Sequence, residues 1–204
     1  METGVRVVGS GQVSTAPDVL RVSLSVEHVA PDVAAAVAQV GERSDTALAA
    51  LREQGVEDFA LATTSVNVYQ EYREPGTAAA YRASHSITVT TKDLTGFGRL
   101  LAAAVDAVGN SLGLQGLQFD VEDKEPLLVR ARELAFAQAR TKAGELAALA
   151  GYSLGSVTSI SETYSHAPIR EFVQQSAKAF DSAINITPGE HTVEVSLEVQ
   201  FSWA

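Results

Sequence analysis

Cysteine is absent, methionine and tryptophan occur once each, and aromatic residues make up only 6% of the 204 positions. The first absence excludes disulfide staples, a thiol nucleophile and thiolate metal sites together. No run of about 18 consecutive apolar residues occurs, so no segment reads as a membrane-spanning helix. The opening Met1-Glu2-Thr3-Gly4 also lacks the basic and apolar regions of a signal peptide. On this reading the expected location is the cytoplasm, or an extracytoplasmic (periplasmic) compartment if a leader was trimmed. Positive charge is scarce, with 15 basic against 25 acidic side chains and a net charge of −10. Such a balance repels phosphate backbones and anionic lipid, so neither nucleic acid nor a membrane surface is the expected partner. What remains is 46% hydrophobic residues, ample for one domain or two small lobes.

Period-two alternation at Val5 and Val7, and then over Leu20, Val22, Leu24 and Val26, predicts two strands joined across Ala16-Pro17-Asp18. The period then lengthens. Val33, Val37, Val40, Leu48 and Leu51 form the stripe of a long helix over 30–54, with Gly55 as its stop. Residues 62–74 and 79–91 read as a hairpin turning at Glu74-Pro75-Gly76. Asp93 or Thr95 is expected to cap a helix running from Phe97 to Val108 and closing at Gly109. A strand over Leu117, Phe119 and Val121 follows, with Gly116 marking a bulge, and then a helix over 124–150 ended by Gly151. The last strands fall at 153–164 and 190–203. Between them, 166–189 reads either as a connector or as a short helix behind Pro168, with Ile169, Phe172, Val173, Ala177 and Phe180 at helical spacing. Hairpins mixed with helices predict an α+β fold of two strand-strand-helix units, a mixed or antiparallel sheet packed by long helices. The two units suggest lobes of about 1–92 and 93–204.

Several patterns invite a chemical reading, and each has a plainer one. Gly109-Asn110-Ser111-Leu112-Gly113 matches G-x-S-x-G, yet here a helix enters and a strand leaves, the reverse of a nucleophile elbow. Gly9-Ser10-Gly11 follows a strand but leads into another strand, so it lacks the helix N-terminus a phosphate needs and reads as a turn or bulge. Asp120, Glu122, Asp123 and Glu125 have no EF-hand spacing; Asp120 and Glu122 are expected on one outward strand face. His28, His85, His166 and His191 are scattered one per element, with no zinc-binding pair. His85 is in phase with Tyr81, Ala83, Ile87 and Val89 and is expected to face the core. Arg130, Arg132, Arg140 and Lys142 read as a solvated helix face or as partners for an acidic subunit surface. Asn185-Ile186-Thr187 fits a sequon by pattern alone. No cofactor, metal or catalytic residue is assigned.

Ordered motifs along residues 5–203 resemble the SIMPL-domain family, the periplasmic immunogenic and YggE-like proteins of bacteria. They are the opening Gly9-Ser10-Gly11-Gln12-Val13 with Pro17-Asp18, the helix end at Leu51 with Gly55-Val56, and the strand Ala80-Tyr81-Arg82-Ala83-Ser84. Most specific is the helix carrying Ala131-Arg132, Ala135, Ala139-Arg140-Thr141-Lys142-Ala143 and Leu146-Ala147, followed by Gly151-Tyr152-Ser153-Leu154-Gly155. Ala80 stands where the family has glycine, and 166–189 reads as more helical than the family's proline-rich connector. The resemblance implies an α+β domain that self-associates, in some members into ring- or channel-like assemblies, with an envelope and stress association and no agreed catalytic residues.

Three functional readings follow. The first is a non-enzymatic homo-oligomer whose C-terminal strand, with Val193, Val195, Leu197, Val199, Phe201 and Trp203, lies at a sheet edge and pairs between subunits, helped by Phe172 and Phe180. In this reading the alanine stripe of the 124–150 helix also admits a neighbouring helix. The second is a small-molecule binder or hydrolase with a pocket near the 62–91 hairpin, where His85, Tyr81, Arg82 and Glu71 or Tyr72 converge. The third is a signalling adaptor docking through 166–189.

Overall fold

The computed structural model describes residues 4–71, 79–163 and 188–204. Within them the chain runs β1 (Gly4–Thr15), β2 (Val19–Ala30), α1 (Val33–Glu53), β3 (Leu61–Glu71), β4 (Ala80–Thr91), α2 (Phe97–Val108), β5 (Leu112–Asp120), α3 (Glu125–Leu149), β6 (Leu154–Thr163) and β7 (His191–Trp203). The α+β expectation holds, in two antiparallel sheets ordered β1-β7-β6 and β3-β4-β2-β5. The division into units is nested. Residues 18–120 carry the four-stranded sheet, while β1, α3, β6 and β7 make the other unit. The boundary therefore does not fall near residue 92, as two successive lobes would require.

In the three-stranded unit, α3 buries Ala131, Ala135, Ala139, Ala143 and Ala147, a spacing of four that keeps one narrow stripe against the sheet. Beneath it lie Gly9 and Gly11 of β1. A Cβ on Gly9 would sit 2.1 Å from the Ala135 carbonyl oxygen, and one on Gly11 2.0 Å from that of Ala131. Helix backbone thus rests on strand backbone, with no side chain between them. The pair makes no turn, because β1 runs in unbroken register with β7 from Gly4 to Thr15. That corrects the turn-or-bulge expectation. The alanine stripe likewise faces its own sheet, where Val7, Val195, Leu197, Val199 and Phe201 complete the core.

The strand over 191–203 is the central strand of this sheet, flanked by β1 and β6. From Ser196 to Phe201 its backbone is paired on both sides and from His191 to Val195 with β1, so the expectation of an edge strand pairing between subunits is corrected. Val195, Leu197, Val199 and Phe201 are buried under α3, with Val193 and Trp203 half-buried at the two ends. Gly151, at φ +76, closes α3: the Gly151 amide donates to the Ala148 carbonyl and the Tyr152 amide to the Ala147 carbonyl. This double closure sets Tyr152 to stack on Trp203, with ring centroids 5.1 Å apart.

The four-stranded unit has the order of a split β-α-β fold. One face of β2, from Leu20 through Val22 and Leu24, packs with Leu51 of α1 and with Phe97, Leu100 and Ala104 of α2. Asp32 caps α1, its carboxylate accepting the Ala35 amide at 2.8 Å, a contact of about 1 kcal/mol. Gly55, at φ +86, ends it with the same double closure onto Leu51 and Arg52. Before α2 the N-cap position belongs to Gly96, neither Asp93 nor Thr95. Asp93 instead organises the turn: its Oδ1 accepts the Thr95 hydroxyl at 2.9 Å and the Thr95 amide at 3.1 Å, and its Oδ2 accepts from Arg99 at 3.0 Å.

β5 begins five residues earlier than its alternation predicts. Leu112 and Leu114 oppose Val26 and Leu24, and Leu117 and Phe119 oppose Val22 and Leu20, with Gln115 bulged out between them. The extra residue returns all four to one face while switching the parity of the pattern, which hides the strand from a period-two reading. The expected bulge is thus found, one residue before Gly116.

Two measurements test this packing. Gly11→Ala must push α3 off β1 and lower unfolding free energy by about 2–4 kcal/mol. Gly41→Ala, mid-helix with open space around the new methyl, raises it by about 0.5–1 kcal/mol; chemical denaturation of both variants checks the contrast. The Thr95 hydroxyl above all, with the Thr95 and Gly96 amides and Arg99, holds the Asp93 carboxyl below its usual range. A carboxylate depressed in the folded state stabilises above the unfolded value of about 4 and loses that contribution as pH falls through the folded one. Melting temperatures of wild type and Asp93→Asn are therefore expected to differ at pH 6 and to converge toward pH 2.5.

Candidate functional site

β4 carries three of the residues expected to line a pocket, and its pleat separates them. Successive side chains of a strand point to opposite faces. Tyr81 and His85 share the face covered by helices, where Tyr81 packs against Ala30, Ala36, Val40 and Ala83. His85 Nε2 and Thr63 Oγ1 lie 2.9 Å apart in a hydrogen bond. Arg82, between them in sequence, projects from the other face. Tyr72 lies outside the described residues, as do Phe172, Phe180, His166 and the Asn185 sequon. The convergence of His85, Tyr81 and Arg82 on one pocket is therefore corrected.

Arg82 is clamped by two carboxylates. Its Nη2 donates to Glu71 Oε1 at 2.7 Å and its Nη1 to Glu27 Oε2 at 3.1 Å. The bond to Glu71, with that to Glu27, raises the guanidinium pKa against the lowering effect of burial, so Arg82 is permanently charged. Along the same sheet face, Ser25 Oγ lies 3.5 Å from Glu27 Oε1 and accepts Gln115 Nε2 at 2.8 Å. The result is a polar belt across β3, β4, β2 and β5, in which each group already has a protein partner. It holds strand register and, among the described residues, leaves no free base beside a nucleophile. On the helix-covered face, Thr63 and His85 form a hydroxyl–imidazole pair, but among the described residues no carboxylate orients the imidazole as a triad requires.

Ser111 of the G-x-S-x-G pattern sits in a single helical turn at Gly109–Ser111, just before β5, and its hydroxyl accepts a hydrogen bond from Arg43 of α1. That agrees with the helix-stop reading; Gly109 has φ +56. In the acidic run, Asp120 is buried and paired with Arg21 at 3.3 Å, correcting its expected outward position, and Asp123 accepts the Glu125 amide. Of the basic residues on α3, Arg130 pairs with Glu133 on the same helix, Arg132 reaches Glu162 on β6, and Lys142 Nζ donates to the Val8 carbonyl at 2.9 Å. Two of the expected solvated charges therefore tie helix to sheet.

The sequence reading found β3 as a strand of the hairpin but did not place it at the edge of the larger sheet. β3 carries no charged residue and no proline from Leu61 to Gln70, and Val66 and Val68 are 62% and 38% exposed. The missing signal was the absence of edge protection, legible once β3 is known to be an edge.

The SIMPL family profile, described as "Protein of unknown function (DUF541)", matches residues 5–201. A "26 kDa periplasmic immunogenic protein" of Brucella melitensis is 32% identical, covering 97% of this chain and 83% of that protein. Its namesake from Brucella abortus is 31% identical over the same shares. The "Uncharacterized protein YggE" of Edwardsiella ictaluri is 29% identical, over 77% of this chain and 67% of that one. With a profile match spanning nearly its whole length, this chain belongs to the SIMPL family.

Proposed function

We propose that this SIMPL protein is a non-enzymatic, self-associating module that works in the bacterial periplasm. One observation carries the self-association: apolar side chains are exposed on one outer strand of each sheet. Val66 and Val68 are exposed on β3, and Val157 and Ile160 on β6. Surface of this kind favours association by removing apolar area from water. The placement in the periplasm, and any ring-like assembly or stress role, rests on the names of the relatives and on the family resemblance. The pocket reading loses its support because the pleat parts Arg82 from Tyr81 and His85.

Light scattering behind a sizing column, at two concentrations differing about a hundredfold, tests the proposal. The expected result is a discrete multiple of the 21.5 kDa chain that persists on dilution. A monomer at both concentrations overturns it.

A further inference from the structure

Among the described residues each sheet ends in two outer strands, and three of the four are blunted. On β1, the outward Ser10 amide donates to Gln138 Oε1 at 2.8 Å and the outward Val8 carbonyl accepts Lys142, so α3 side chains occupy the free backbone groups. β5 is interrupted at Gln115, whose amide turns back onto Ser25. β6 shifts register twice against β7, between Leu154 and Val157 and between Val157 and Ser159. Bulges, inward-turned side chains and covered backbone are the devices by which edge strands avoid adding a further strand. β3 has one register shift, between Thr63 and Ser65, and then pairs regularly with β4 from Ser65 to Glu71. That stretch is uncharged up to Gln70, in a chain of net charge −10.

We infer that β3 is the self-association surface, pairing antiparallel with β3 of a second copy about a two-fold axis at Asn67. This rests on the self-association proposed above and names the surface that carries it. A two-fold interface demands a patch complementary to itself, and β3 meets that demand at this register. Asn67 opposes Asn67, Val66 opposes Val68 of the second copy on the helix-covered face, and Ser65 opposes Tyr69 on the other. Glu71 falls opposite the irregular Thr63 end, so no two carboxylates face each other. Two copies of an acidic chain meet with least repulsion where the surface carries no like charge, and an uncharged strand provides that.

α1 adds apolar surface on the same side. Arg43 marks the flank toward α2 by its bond to Ser111, and Arg52 marks the flank toward β3 by its 2.6 Å contact with Asp58, just before that strand. Val37 is exposed on the Arg52 flank.

The absence of cysteine makes the test clean, since any introduced thiol is unique. In an antiparallel pair, directly opposed residues have Cα atoms about 4.5–5.5 Å apart, inside the reach of a disulfide. Under mild oxidation Asn67→Cys is expected to give a covalent dimer in high yield, while Asp106→Cys, exposed on α2, gives little. A double variant, Val66→Lys with Val68→Lys, sets ammonium groups opposite each other at exposed positions where folding is not at stake. It is expected to weaken association by at least about tenfold, read by light scattering, with an unchanged circular dichroism spectrum. Equal cross-linking at 67 and 106, or a double variant that keeps the wild-type mass, overturns the β3 surface while self-association stands. A monomeric wild type overturns both.

Discussion

The contact between α3 and β1 is the constraint on which the three-stranded unit depends. Gly9 and Gly11 come from the first strand of the chain and Ala131, Ala135 and Ala139 from a helix more than a hundred residues later, so the unit closes only when both ends of the chain meet. Glycine on the strand and alanine on the helix leave two backbones separated by little more than their own van der Waals radii. At that distance Gln138 and Lys142, on the flank of the stripe, are brought onto the outward amide and carbonyl groups of β1. One choice of small residues therefore builds a core and protects an edge at the same time.

Large side chains fill what the stripe leaves open. Phe136 and Phe201 lie 6.4 Å apart beside it, and Tyr152 closes the end of the helix against Trp203. In the larger sheet the separation is by face. Aliphatic residues of β2 meet α1 and α2 on one side, and the Glu71–Arg82–Glu27 belt crosses the strands on the other. This geometry explains why Tyr81, His85 and Arg82 do not converge: alternation along β4 sends His85 and Arg82 to opposite faces, and each meets a protein partner there.

Much of the fold was legible because its signals are local. Gly55, Gly109 and Gly151 stop their helices at positive φ, where only a residue without Cβ sits without strain, and long stripes such as that from Ala131 to Ala147 repeat often enough to be unambiguous. The bulges were harder. An extra residue at Gln115 or Thr64 switches the parity of a strand while keeping its side chains on one face, so the start of β5 escaped a period-two reading. The candidate pocket failed for a related reason, since adjacent residues of a strand are neighbours in number and point to opposite faces in space.

What the sequence determined by itself was the class of fold, the helix boundaries, the absence of thiol chemistry and the acidic charge, all properties of composition or of residues a few positions apart. Strand order was decided only by tertiary structure. The alternating run from Val193 to Trp203 is equally suited to an edge or to the middle of a sheet, and nothing in its own residues says which. Its place between β1 and β6 follows from β1 having to lie beneath α3, a contact that exists only once distant segments have come together. In the other sheet, likewise, only the assembled order β3-β4-β2-β5 shows that β3 is outermost among the described strands.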